Sequence, residues 1–261
     1  MHRLITIPFS HYNERARWGL DVCGLRYVER GYLPGLHLLP VAWATKGKGR
    51  ADHASSRFST PVLVTEGGEV LADSEAILRF ANDRRAEGVP DLYASPEVAA
   101  IHRELHDDLG PHARRLAYHA LFAQPHLLRA LAFEAAGEPQ TTLFWLSRHR
   151  MMVLLRRRFD ITDEGVARSR EVVRRVFTMV GERLHGRAYL AGERFSAADL
   201  TFAALGSLML LPSREEGFVG PTLPSLDVVG PALRDLVDEL RATPAGQHGL
   251  RIYREHRRSA T

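Results

Sequence analysis

A single cysteine stands in a chain of 261 residues. That count excludes an internal disulfide, a CxxC redox pair and a cysteine-rich zinc site. Cys23 falls on an apolar helical stripe and reads as a small core residue. It also lies roughly 20 Å along a helix from Ser10, too far to share its chemistry. No apolar run approaches the roughly 20 residues that a membrane helix needs. No basic-plus-apolar leader precedes the first strand, so a reducing cytoplasm is the expected compartment. Charge of one sign is hardly in excess: 35 Lys and Arg face 31 Asp and Glu, a net charge of +4. Such a mixture demands neither a nucleic acid nor a membrane as partner. Arg156-Arg157-Arg158 and Arg174-Arg175, with Arg254, Arg257 and Arg258, come without a nucleic-acid recognition signature and read as a solvated face. Thirteen histidines include His102 and His106, one helical turn apart and followed by Asp107. No HExxH pattern goes with them, so they read as an exposed helix face, and no metal is expected.

The length suffices for two domains and a sizeable core, and an apolar fraction of 45% is ordinary for a soluble protein. The chain opens on Leu4, Ile5 and Ile7, which suit a buried strand ended by Pro8, where the ladder has no donor. Beyond Ser10, the positions of Tyr12, Ala16, Leu20 and Cys23 mark one face of a helix. Ser10 thus sits at a helix mouth, where unpaired backbone N–H groups suit an anion. A plain helix cap is the other reading, since serine is a preferred residue there.

Tyr27–Arg30 follows as a second strand, and Gly31–Ser59 as an irregular segment with at most one helix. Thr60–Thr65 and Glu69–Ala72 flank Glu66-Gly67-Gly68, a hairpin signal. Asp73-Ser74-Glu75 opens a helix that buries Ile77, Leu78, Phe80 and Ala81. Residues 1–87 therefore read as a mixed-sheet α/β domain, 88–96 as a linker, and 97–261 as an all-helical domain. Helices are expected near 96–122, 125–136, 139–159, 163–186, 197–211, 229–242 and 245–257, with Gly110-Pro111 bending or dividing the first. Phe195-Ser196-Ala197-Ala198-Asp199-Leu200 carries a capping box and staple, and opens the helix expected at the centre of the second core.

Four motifs, in this order, resemble the cytosolic glutathione transferase superfamily in a bacterial-type form with serine at the catalytic position. They are the strand–Ser10–helix start with Arg15-Ala16-Arg17-Trp18, then Thr60-Pro61-Val62-Leu63, Asp73-Ser74-Glu75-Ala76-Ile77, and Phe195-Ser196-Ala197-Ala198-Asp199. The resemblance implies a thioredoxin-like N-terminal domain that binds glutathione as co-substrate, and an all-α domain for the second substrate. It implies a cytoplasmic homodimer that conjugates glutathione to a small hydrophobic electrophile.

The resemblance also implies roles. Ser10 stabilises the glutathione thiolate, since a free thiol of pKa near 8.5 is only slightly ionised at pH 7. Thr60-Pro61 takes the cis form and presents the Thr60 backbone to the cysteinyl part. Asp73 and Ser74 hold the γ-glutamyl end, with Asp one methylene shorter than the usual Glu or Gln. Lys46, Lys48, Arg50 and Arg57 are candidates for the glycyl carboxylate. The second-substrate pocket lies between the domains, with Tyr12, Arg114 and Tyr118 as candidate lining, although the stripe position of Tyr12 also suits the core. A glutathione-dependent lyase, isomerase or dehalogenase, or a non-catalytic module on this fold, are the alternatives. A thiol reductase is disfavoured, because it would need cysteine where Ser10 stands.

Overall fold

The computed structural model describes residues 1–49 and 57–257. Strand β1 (His2–Thr6), helix α1 (His11–Val22) and strand β2 (Tyr27–Gly31) form a parallel crossover unit, with His2 opposite Tyr27 and Thr6 opposite Gly31. β3 (Val62–Val64) runs antiparallel to β1, with Leu4 opposite Leu63, and β4 (Val70–Leu71) pairs with β3 across the expected hairpin. Gly68 turns that hairpin with φ +84°, a conformation that glycine adopts without steric penalty. The sheet order is β2-β1-β3-β4. The irregular segment holds α2 (Leu38–Ala44), and α3 (Ser74–Asp83) starts where the acidic motif placed it.

The rest is helical: α4 (Pro96–Glu104), a π-helical turn (Leu105–Leu109), α5 (Gly110–Phe122), α6 (Pro125–Ala136), α7 (Gln140–Arg158), α8 (Asp163–Arg183), α9 (Ala197–Leu210), α10 (Pro231–Arg241) and α11 (Pro244–His256). The first expected helix is divided in the π turn, just before Gly110-Pro111. A small four-stranded mixed sheet followed by a helical domain is the fold that the motifs implied. Residues 88–96 are stitched to both parts: Leu92 N–H donates to Asn82 Oδ1 at 2.8 Å, and Leu92 C=O accepts from Ala197 N at 2.9 Å. Among the described residues, no helix is long and apolar enough to cross a membrane.

The capping box of α9 is formed, with Asp199 reaching back to Ser196 N at 3.0 Å. Fully buried Asp199 also accepts from Leu190 N at 2.8 Å and faces His248 Nε2 at 3.0 Å. α9 and α3 pack on α1 from either side. One continuous core results, joining Leu4, Trp18, Leu63 and Ile77 to Ile101, Phe177, Phe202 and Tyr253. Cys23 belongs to it, and burial pushes its thiol up to about 12.

Because α1 is covered all round, it buries polar residues as well: Asn13, Glu14, Arg15 and Arg17 are each at most 3% exposed. Glu14 accepts from Arg257 Nε at 2.7 Å and from Arg17 at 3.2 Å. Arg17 also grips Glu29 and the Pro8 carbonyl at 2.9 Å, and Arg257 reaches Asp21 at 2.7 Å. Arg257 is thus no part of a solvated basic face: it is 5% exposed and ties the end of the described chain to α1. Arg174 and Arg175 pair with Glu239 and Asp108, and Arg258 lies outside the described residues.

Burial pushes the Glu14 carboxyl up, but Arg257 and Arg17 together outweigh it and hold it below its ordinary value. Removing one member of such a buried cluster costs about 3–5 kcal/mol. At ~2–4 °C per kcal/mol for a chain of this size, Glu14→Ala is expected to lower Tm by roughly 6–20 °C. A thermal melt of the variant checks it, and a shift under about 2 °C would mean that the cluster adds little to stability.

Candidate functional site

Ser10 is the N-cap residue of α1 in extended backbone, with φ −84° and ψ 126°. Its C=O accepts from Glu14 N at 2.9 Å, the first helical bond, so the N–H groups of residues 11–13 stand before it. The side chain does not cap. Among the described residues its hydroxyl makes no hydrogen bond, which leaves both its proton and its lone pairs uncommitted.

Ser10 also lines an apolar cavity between the first domain and the helical one. Phe9, Ser10 and His11 form one wall, Arg114, Ala117, Tyr118 and Leu121 of α5 another, Gln124, Leu127 and Leu131 a third, and Leu208, Leu211, Leu223, Pro224, Val229 and Leu233 most of the remainder. Leu211 ends α9 in the left-handed region, with φ 43° and ψ 57°, where glycine is usual. Arg241 braces that turn by donating to Leu210 O at 2.7 Å. Ser10, Arg114 and Tyr118 therefore share one pocket. Tyr12 does not line it. Two residues past Ser10 is about 200° around a helix, and this turn carries the Tyr12 ring onto His106, 5.5 Å between centroids. A Cβ at residue 110 would collide with the Tyr12 hydroxyl, so glycine there lets α1 dock on α5.

His11 seals the same junction: its Nε2 lies 2.9 Å from Gly110 O and the residue is 2% exposed. Burial, with Arg114 nearby, pushes its pKa down to about 3, so the ring is neutral. Nε2 is then the protonated nitrogen, since only a donor can face a carbonyl.

A second constellation gathers at the start of α3. Asp73 is the N-cap, its Oδ1 accepting from Glu75 N at 2.7 Å and Ala76 N at 3.3 Å. Ser74 is 1% exposed, and its Oγ accepts from Arg15 Nε at 3.1 Å and from a terminal guanidinium nitrogen at 2.5 Å. With both lone pairs taken, the function left to that hydroxyl is to donate. Arg15 is itself fully buried, and its guanidinium also lies 3.1 Å from His102 Nε2 and 3.3 Å from His106 Nδ1. His102 in turn lies 3.2 Å from Glu75 Oε2 and 3.0 Å from Thr201 Oγ1. The reading of His102 and His106 as an exposed helix face is therefore overturned. Their face packs against α1, His102 is fully buried, and burial holds the pKa of both below the ordinary value.

The Thr60-Pro61 bond is cis. Asn13 Nδ2 donates to Thr60 Oγ1 and to Ile7 O, both at 3.0 Å, and so ties this loop to the end of β1. Pairing of β3 begins at Val62, and no backbone group among the described residues engages Thr60 N–H or C=O. Of the basic candidates, Lys46 and Lys48 are exposed, Arg57 is tied back to Lys48 O at 3.1 Å and Gly47 O at 2.6 Å, and Arg50 lies outside the described residues. No group of His, Cys, Asp and Glu suited to a metal occurs among the described residues.

Sequence reasoning missed His11, Asn13 and Arg15 as parts of the site. The signal available was a run of polar residues on a crossover helix that a second domain also covers.

The model of the glutathione S-transferase N-terminal domain matches residues 9–84, and that of the C-terminal domain residues 145–226, together more than half of the chain. The chain belongs to the glutathione S-transferase superfamily. Among solved structures, it is similar to glutathione transferase GSTFuA3 of Phanerochaete chrysosporium, with TM-score 0.60 and 16% identity over 97% of this chain and 94% of that one. Glutathione S-transferase CsGST63524 of Ceriporiopsis subvermispora, in complex with glutathione, follows with TM-score 0.58 and 18% identity over 98% and 97%. A glutathione S-transferase domain-containing protein of Marinobacter aquaeolei VT8 gives TM-score 0.53 and 18% identity over 94% and 99%. No curated protein matches the sequence.

The neutral state of His11 has a consequence for stability. Below pH 6.5 the unfolded chain takes up a proton that the folded ring refuses until about pH 3, so the contribution is complete above pH 6.5 and is lost as pH falls. Between pH 6.5 and 5 this amounts to about 2 kcal/mol. His11→Gln is expected to show a smaller drop in Tm from pH 7 to pH 5 than the wild type. Equal drops would mean that His11 is not the group refusing the proton.

Proposed function

We propose that this member of the superfamily is a cytoplasmic glutathione S-transferase that joins the sulfur of glutathione to a small, largely apolar electrophile. The observation that carries the reading is Ser10: its hydroxyl is uncommitted, and the residue stands at the mouth of α1 and lines the apolar cavity. A thiolate beside it would meet one O–H donor and the unpaired N–H groups of the helix start. Hydrogen bonds to a charged acceptor are roughly twice as strong as neutral ones. Lowering the thiol pKa by ~2 units needs ~2.7 kcal/mol of differential stabilisation, within reach of one hydroxyl and a helix end. Ser10 acts here as a stabiliser of the nucleophile and is not itself the nucleophile.

The remaining contacts are distributed along glutathione. The free backbone groups of Thr60 pair with its cysteinyl unit, next to Pro61. Asp73 faces the ammonium of the γ-glutamyl end, and the Ser74 O–H, with the N–H groups opening α3, faces its α-carboxylate. Glutathione bound to CsGST63524 supports the choice of thiol. The electrophile occupies the cavity, and desolvation by its apolar walls strengthens the polar interactions at the sulfur. No metal takes part. The homodimer rests on the resemblance, and light scattering of the purified chain reports the mass directly.

Ser10→Ala is expected to reduce kcat with a model aryl halide by ~10- to 100-fold and to leave glutathione affinity within about threefold, since the other contacts survive. Thiolate absorbance near 240 nm should be present in the wild-type complex at pH 7 and lost in the variant. Equal turnover in the two proteins would remove Ser10 from the chemistry. No detectable glutathione binding by calorimetry at millimolar ligand would instead favour a non-catalytic module.

A further inference from the structure

The wall of the apolar cavity holds one formal charge that no described residue answers. Arg114 sits on α5 one turn before Tyr118, and both line the cavity. The Arg114 guanidinium carbon lies 4.0 Å from the ring centroid of Phe159 and 5.7 Å from that of Tyr12. Such contacts set the charge over the ring faces and supply no hydrogen-bond acceptor for its N–H groups. Among the described residues nothing accepts a hydrogen bond from it, and its Nε is closed off from solvent without a partner. The Tyr118 ring stacks on Phe159 with centroids 5.6 Å apart, and its hydroxyl likewise has no partner among the described residues. Burial pushes its pKa up, so it remains a donor. Apart from Ser10, the other polar side chains of the wall are engaged. His11 faces Gly110 O, and the Gln124 amide, in the orientation its neighbours dictate, donates to Val228 O and accepts from Gly230 N at 3.0 Å each.

We propose that Arg114 and Tyr118 form a carboxylate subsite, and that the second substrate is an apolar electrophile bearing a carboxylate held by these two side chains. The inference rests on the transferase reading for the word substrate, but the subsite stands on the pocket alone. Arg114 is half-buried on this wall with its Nε closed off from solvent, and a full anion pairs with the charge where a neutral acceptor leaves it in place. Residues at i and i+4 have Cβ atoms about 5–6 Å apart, so one carboxylate can take a bond from each. Arg also suits a carboxylate through paired N–H groups. In the conjugation, the thiolate sulfur bonds to the electrophilic carbon of, for example, an enone. The π electrons pass to the carbonyl oxygen, and water protonates the resulting enolate. The carboxylate is a spectator that sets orientation.

The test uses two matched pairs of probes. Without glutathione, the full-length protein is titrated with 4-hexylbenzoate and with 4-hexylbenzyl alcohol, alike in body and different in charge. The wild type is expected to bind the benzoate at least ~tenfold more tightly, Arg114→Met to lose that preference, and Arg114→Lys to keep part of it. Equal affinity of the wild type for the two probes overturns the proposal, and this comparison needs no variant to fold. With glutathione, 4-carboxychalcone and its methyl ester are compared. Their kcat/KM ratio should favour the acid and fall by ~tenfold in Arg114→Met. If Arg114 served only the thiolate, both substrates would slow alike and the ratio would stay, which again overturns the subsite. A preference for the benzoate with no conjugation of either chalcone would sink the transferase reading and leave the carboxylate subsite standing. Conjugation of both chalcones at equal rates would do the reverse.

Discussion

The enclosed guanidinium of Arg15 is the constraint on which the arrangement depends. It bonds to Ser74 at the start of α3 and to His102 and His106 on the helical side, so one side chain of α1 fixes elements from both parts of the chain. A charge so far from water requires its hydrogen bonds to be kept. The positions of α3 and of the α4 end are therefore coupled through it. The γ-glutamyl corner of the proposed thiol site is set by the same bonds that hold the two domains together.

The same logic extends along α1. Asn13 links the helix to the Thr60 loop, Arg17 links it to β2 and Glu14 to Arg257 at the end of the described residues, and Trp18 donates to His256 O at 3.1 Å. Each of these groups would be costly to bury singly. Together they make α1 a rigid mount for Ser10, which sits at its mouth with nothing else to do. The charged side chains that follow it on α1, Glu14, Arg15 and Arg17, are turned to other partners, and among the described residues the hydroxyl is left with none.

Much of this was legible in the residues. The apolar run that ends at Pro8, the Glu66-Gly67-Gly68 turn, the acidic start at Asp73 and the box from Ser196 to Asp199 are local signals, and the elements stand where those signals put them. The faces of α1 and α4 were not legible. A helix of periodic pattern is read as having one buried side, and that rule fails where a helix is sandwiched; hence His102 and His106 looked exposed and are not. Tyr12 misled for a related reason, since its place on the stripe says that it is covered but not by what. The pocket was legible only on its α5 side, through Arg114 and Tyr118. Its opposite wall comes from Leu211, Leu223, Pro224 and Val229, which reach it through loops that no local pattern announces.

Leu211 shows what such a wall costs. An L-residue held in the left-handed region gives up roughly 1–2 kcal/mol, yet here its side chain closes the cavity. Exchanging it for glycine would relieve the backbone while opening the wall, so the recovered strain offsets part of the apolar burial that is lost. Leu208 and Leu233, on ordinary helix, offer no such refund. Evolution toward bulkier molecules therefore has its shallowest slope at the end of α9, where breadth of selectivity and comfort of the turn improve in a single step.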